Sequence, residues 1–344
     1  MRYWLHAVVL SLSAAPGYCR YRKRSLTGAS QGEQDARLRA LFAELAIHKG
    51  TYVEFGFPPT EPGSSIAWFS QTDALRKRGW TGIRLDAENN DPAQQSHAEW
   101  IYSTNIVALF RKYGVLADVD YVSIDIDSAD LWVLRALLES EYQPKVLTVE
   151  YNSNFPWNVS MAYPDPAQRA HLPPNLTMTG HMYNGDCFMG SSARAIHQVA
   201  LAHGYVTVDV EPGLDIFLVR ASLWTGKPVP ELNNKVLYRP FSLGKKHVAM
   251  PTQKREGYLD YATYTRTGSV EQARQASAQT FAQLQRDGVE CFADQPCAAQ
   301  VRVWCRFLYS AFCPLRGTVN PCNEYYRRYP LSDGIPLWRG AHGQ

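Results

Sequence analysis

The chain has 344 residues, 45% of them hydrophobic, and a formal net charge of +3 at neutral pH. That length buries one large domain with an appendage, or two domains. A charge so near balance lacks the concentrated basic face that a nucleic-acid partner requires; the one dense basic run, RYRKR at residues 20–24, lies close to the N-terminus.

Arg2 precedes an apolar segment over residues 7–15, and small residues follow around Gly17. The segment is too short for a full membrane span and reads as a secretory signal peptide or a short signal-anchor over residues 1–19. A disordered apolar start is the alternative, because most of the basic residues follow the apolar stretch. A polar linker covers 20–34. The expected location is the secretory pathway (endoplasmic reticulum, Golgi lumen or outside the cell), with the cytoplasm as the alternative. Membrane contact is expected only if the segment is an uncleaved anchor.

Residues 35–48 place Leu38, Leu41, Phe42 and Leu45 on one helical face, and Gly50 marks the end. A short strand over 52–55 stops at Glu54-Phe55-Gly56. An acid and a glycine at a strand end begin many nucleotide-binding turns, but the following Pro58 and Pro59 equally fit a plain surface loop. A helix is expected over 66–78 and a strand over 83–86, ending at Asp86. A carboxylate there can accept hydrogen bonds from both hydroxyls of a ribose, or merely cap the next segment. A third strand is read over 99–103, closing on Asn105 and Ile106, with a helix to Tyr113.

The strongest pattern lies over residues 120–152. Tyr121, Val122, Ser123, Ile124 and Ile126 form an apolar strand ending at Asp125 and Asp127. Leu131, Leu134 and Leu138 follow at helical spacing, and residues 146–149 make a second buried strand ending at Glu150 and Asn152. Two apolar strands joined by a helix predict a parallel pair covered on both faces, and ligands in such sheets sit beyond the carboxyl ends of the strands. The chemistry is therefore expected at those four residues.

Beyond them, residues 153–185 are Pro- and Asn-rich, and a lid over the substrate is the expected role. A helix over 191–203, a strand over 205–210 and a closing strand over 215–219 complete the sheet with an antiparallel pair. A helix over 270–286 leads into the tail. Of seven cysteines, Cys291, Cys297, Cys305, Cys313 and Cys322 crowd that tail, while Cys19 and Cys187 stand apart. Loss of Cys19 with a signal would leave an even number, compatible with disulfides; a zinc knuckle is the alternative, without any C-x-x-C spacing. The sequons Asn158-Val-Ser and Asn175-Leu-Thr fit the same secretory reading.

The order of elements resembles a class I S-adenosylmethionine-dependent methyltransferase, an α/β fold with a doubly wound, mostly parallel sheet and an antiparallel last strand. Glu54-Phe55-Gly56, Gly79-Trp80-Thr81-Gly82 with Asp86, Asn105-Ile106, Ser123-Ile124-Asp125-Ile126-Asp127, Glu150-Tyr151-Asn152, Gly190-Ser191-Ser192-Ala193 and Gly204-Tyr205 look like the FkbM-type group. The resemblance covers residues 51–223. It implies a methyltransferase-like domain over 35–224 and leaves 225–344 as a small Cys-rich C-terminal extension. It also implies Glu54 and Gly56 beside the methionine part of the cofactor, Asp86 on its ribose, and Asn105 and Ile106 near its adenine. The sequence departs from that group at Pro58 and Pro59, which remove two backbone donors, and at Ser128, where the group has glycine.

The implied reaction is methyl transfer to a hydroxyl of a small molecule or glycan. Asp125 or Asp127 is the candidate base. Asp125, Glu150 and Asn152 offer oxygen ligands of the kind Mg²⁺ and other hard divalent cations prefer, and a bound metal would lower the pKa of the acceptor hydroxyl. Each residue also has a plainer role: Asp127 as a helix cap, Glu150 as an ion-pair partner. A binding or scaffolding protein that keeps the fold without catalysis is the second reading. A dehydrogenase is the third, disfavoured because the glycine fingerprint is missing.

Overall fold

A computed structural model describes residues 30, 32–56, 70–87, 89–126, 128–153, 155–172, 190–237 and 257–286. The signal or anchor segment, most of the linker, the proline-bearing turn, Asp127, Asn175 and all seven cysteines lie outside the described residues. Seven strands form one sheet: β1 Thr51–Phe55, β2 Thr81–Asp86, β3 Ser96–Ala98, β4 Tyr121–Ile124, β5 Val146–Glu150, and, after a separate two-residue strand β6 (Met161–Ala162), β7 Tyr205–Val210 and β8 Asp215–Arg220. Their order is β3-β2-β1-β4-β5-β8-β7. The first five run parallel, and β8 lies antiparallel to both β5 and β7. The α/β sheet expected from the sequence is therefore present, including its antiparallel closing pair.

Strand alternation sorts the side chains into two layers. Tyr52, Tyr121, Val146, Phe217 and Val219 face α1 (Gln34–Glu44), whose Leu38, Leu41 and Phe42 cover them together with Leu75 and Trp80. On the other face Val53, Phe55, Val122, Ile124, Leu147 and Val149 meet α3 (Ile106–Lys112), α4 (Asp130–Leu138) and α5 (Ala193–Ala202). The central strands are apolar on both faces because both are covered. The Ser192 hydroxyl caps α5 by accepting from the Ala195 N–H at 3.3 Å.

Several boundaries differ from expectation, each for a physical reason. The first helix stops at Glu44, before Gly50, because Ala46 takes a left-handed φ of 55° and Ile47 N–H turns back to the Phe42 carbonyl. The third strand is Ser96–Ala98 and not 99–103; Ile101 is buried in the turn leading to α3. Of the helix expected over 66–78, the described part is α2, Asp73–Arg76.

The stretch after β5 is also not a free lid along its described length. β6 pairs with Leu259–Asp260, and Met161 and Tyr163 N–H donate to the Ser192 and Ser191 hydroxyls. Residues 257–286, assigned from sequence to the C-terminal extension, join the same core through Leu259, Tyr261 and Ala273. The segment thus acts as a strap held down by the C-terminal helices Tyr261–Thr267 and Val270–Arg286. Among the described residues no helix is long and apolar enough to cross a membrane.

Under that strap Trp132 of α4 packs against His171, Tyr261 and Tyr264. His171 is buried, its Nε2 lies 3.3 Å from the Tyr264 hydroxyl, and burial holds its pKa below the ordinary value near 6.5; Asp165 opposes that shift, while Arg274 and Arg135 add to it. The folded state therefore favours neutral imidazole, whereas the unfolded chain takes up a proton near pH 6.5. Stability from this group is complete above that value and is lost as pH falls below it, until the depressed folded pKa is reached. The slope approaches about 1.4 kcal/mol per pH unit. Unfolding midpoints measured from pH 7 to 5 are expected to fall more steeply for the native chain than for His171→Gln. Parallel curves would remove His171 as the cause.

Candidate active site at the strand switch point

The strand order reverses between β1 and β4, and in doubly wound sheets the crevice for a ligand opens beyond the carboxyl ends at that reversal. Gly56, immediately after β1, has φ +68°, and a Cβ built on it would stand 1.7 Å from the Asp125 carbonyl oxygen just past β4. The two strand ends touch backbone to backbone there, so only glycine fits. Gly56 N–H also donates to the Leu85 carbonyl at 3.1 Å, which sets the glycine beside the end of β2, where Asp86 lies.

Register carries the arrangement across the sheet. The Ile124↔Val149 pair closes the β4–β5 ladder, so Asp125 and Glu150 follow one residue later on adjacent strands. Glu150 in turn lies opposite Asp215 on β8. Like charges directly opposed destabilise a sheet. Here Asp215 is buried and accepts from Gln34 Nε2 at 3.0 Å and Gln71 Nε2 at 2.9 Å. The Gln71 carbonyl oxygen in turn accepts from Tyr121 and Thr148 hydroxyls at 2.8 and 2.9 Å. Asn152 is buried, and its backbone N–H donates to Ser191 O at 2.8 Å, fixing the chain just after β5.

Glu54, near the end of β1, is held by partners within the protein. Its carboxylate is 3% exposed and accepts from the Ser70 hydroxyl at 2.9 Å, from the Gln71 backbone N–H at 2.6 Å and from the Thr72 hydroxyl. Arg84, opposite it in the β1–β2 register and equally buried, approaches to 3.4 Å. Burial raises the Glu54 pKa, and Arg84 and the hydrogen bonds pull against it. These contacts fasten the chain returning to the sheet at residues 70–72.

Asp86 ends β2 with one carboxylate oxygen accepting from Asn89 N–H at 2.9 Å. Asn105 uses both ends of its amide to close its own turn, accepting from Tyr102 N–H and donating to the Trp100 carbonyl, each at 2.8 Å. Ile106 is fully buried in the core. The structure thus brings Gly56, Asp86, Asp125, Glu150 and Asn152 to one edge of the sheet. Asp127 lies outside the described residues. Among those described, no group of three or more His, Cys, Asp or Glu stands close enough to hold a metal ion.

Sequence reasoning missed Arg84, Gln71 and Asp215. Arg84 carried a signal, a cation between Ile83 and Leu85 in an otherwise apolar strand, where burial demands an acid partner. Asp215 opens an apolar strand in the same way. Gln71 carried none.

No family model matches the chain, and no curated protein matches it. Solved structures overlap it weakly, two of them as follows. A protein described as a hemolysin from Streptococcus thermophilus aligns at 14% identity with a TM-score of 0.34, covering 63% of this chain and 75% of that one. MycE, a methyltransferase from the mycinamycin biosynthetic pathway in complex with Mg and SAH, aligns at 10% identity with a TM-score of 0.30, covering 68% of this chain and 55% of that one. Overlaps at these scores define neither a shared fold nor a shared activity.

Proposed function

We propose that the chain is an S-adenosylmethionine-dependent O-methyltransferase of the FkbM type, acting on a hydroxyl of a small molecule or sugar. The observation that supports this reading is the reversal of strand order between β1 and β4, where β2, β1, β4 and β5 end side by side and bring Asp86, Asp125 and Glu150 to one end of the sheet. In this reading Asp86 takes the ribose hydroxyls and Gly56 lies against the methionine part. Asp125, or Asp127, removes the acceptor proton. Asp125, Glu150 and Asn152 are all-oxygen donors of the set suited to Mg²⁺, and a divalent cation there would acidify the acceptor hydroxyl.

A second reading, a binding protein that keeps this fold without transferring a methyl group, draws on Glu54 and Asn105, whose polar atoms are engaged by the protein itself. Transfer of labelled methyl groups to a panel of hydroxylated small molecules and glycans separates the two. Incorporation that needs divalent metal and is lost in Asp125→Asn supports the enzyme. Incorporation undiminished by chelator removes the metal from the reading, and cofactor binding without incorporation favours the second reading.

A further inference from the structure

We propose that Asn158 carries an N-linked oligosaccharide acquired in the lumen of the secretory pathway. The sequon Asn158-Val159-Ser160 has a hydroxyl residue at its third position and no proline between. By itself that pattern recurs by chance; its setting in the fold gives it weight. Pro156 to Val159 forms a tight turn closed by the Val159 N–H to the Pro156 carbonyl at 3.0 Å. Every neighbour in the turn is tied down: Val159 and Ser160 are each 6% exposed, and Trp157 N–H donates to Asn234 Oδ1 at 2.6 Å. The Trp157 ring lies under the Arg194 guanidinium at 5.3 Å and against His197. Asn158 alone in this turn is exposed, and nothing among the described residues hydrogen-bonds its amide. A bulky polar substituent there meets solvent and displaces no packed group.

The fold also dates the reaction. The Ser160 hydroxyl, which a sequon-reading transferase must recognise, donates to Gln198 Oε1 at 2.5 Å once α5 has docked. Transfer therefore precedes folding, as the chain enters the lumen. Asn158 Nδ2 forms a C–N bond to the anomeric carbon of a lipid-pyrophosphate-linked oligosaccharide. The C–O bond to the pyrophosphate breaks with its electron pair leaving on that group, and the amide proton passes to a base of the transferase. The other sequon, at Asn175, lies outside the described residues.

The test is expression of the full 344-residue chain in a eukaryotic cell competent for secretion, followed by amidase-type deglycosylation and peptide mass mapping. The expected result is a mobility shift lost in Asn158→Gln and in Ser160→Ala, kept in Ser160→Thr, with Asn158 converted to Asp by the treatment. Because Asn158 is exposed, Asn158→Gln is expected to unfold at the same midpoint as the deglycosylated native chain, so loss of the shift cannot come from misfolding. A chain insensitive to deglycosylation, or a shift lost only in Asn175→Gln, overturns the proposal.

Discussion

Gly56→Ala is expected to destabilise the protein by on the order of 4 kcal/mol or more. Two penalties combine. The left-handed backbone, φ +68°, costs a residue with a Cβ roughly 1–2 kcal/mol. The larger part is steric: the added carbon meets the Asp125 carbonyl at 1.7 Å, and because both partners are backbone no side-chain rotation relieves it. The ends of β1 and β4 must separate, and with them the two sides of the proposed crevice. Gly114→Ala isolates the first penalty, since Gly114 has φ +64° and a Cβ there would meet nothing within 4 Å. Denaturant unfolding of both variants should show Gly114→Ala losing only that first penalty, about 1–2 kcal/mol. Equal losses would mean that the two strand ends are not in contact.

Arg84→Met is expected to cost about 3–5 kcal/mol at neutral pH, the range for removing one member of a buried ion pair. Arg84 is 1% exposed and Glu54 3%, so neither charge reaches water. With the guanidinium gone, the attraction that opposes burial vanishes, and the Glu54 pKa, already raised, moves further up. The sign with pH follows. The folded variant then binds a proton at Glu54 more tightly than the unfolded chain does. Its deficit relative to the native chain is therefore largest at neutral pH and shrinks on acidification, as Glu54 takes up its proton in the folded variant before it does in the folded native chain. The double variant Glu54→Gln with Arg84→Met removes the buried charge; its amide oxygen still accepts from the Gln71 N–H, and its amide NH2 donates to the Ser70 and Thr72 hydroxyls once these turn to accept, so it should recover much of the loss. A single-variant loss below about 1 kcal/mol, flat with pH, would show that the pair is solvated.

The parts of the fold legible in sequence were those whose signal is local. β4, α4 and β5 combine apolar runs with helical spacing, and β7 with β8 is punctuated by Glu211-Pro212-Gly213; all stand where they were read. β3 was misplaced because a three-residue edge strand needs few apolar side chains, while Ile101 supplied an apolar signal from a turn. β6 was invisible, since two residues become a strand only by meeting Leu259–Asp260 nearly a hundred positions later. The same split divides the site. Acids at strand ends could be read directly, and β1, β2, β4 and β5 do end beside one another. The consumption of Glu54 by Arg84 and by residues 70–72 could not, because it depends on the β1–β2 register. Nor could the role of Gln71, which links Glu54, Tyr121, Thr148 and Asp215 through contacts that only the packed sheet creates.

Calorimetric titration of the full chain with S-adenosylmethionine tests the central claim most directly. The account predicts saturable binding at one site, weakened about tenfold or more, equivalent to about 1.4 kcal/mol or more, in Asp86→Asn, whose amide oxygen can still accept from Asn89 N–H. A folded protein that gives no saturable heat at millimolar cofactor, or an Asp86→Asn variant that binds as tightly as the native chain, would contradict it.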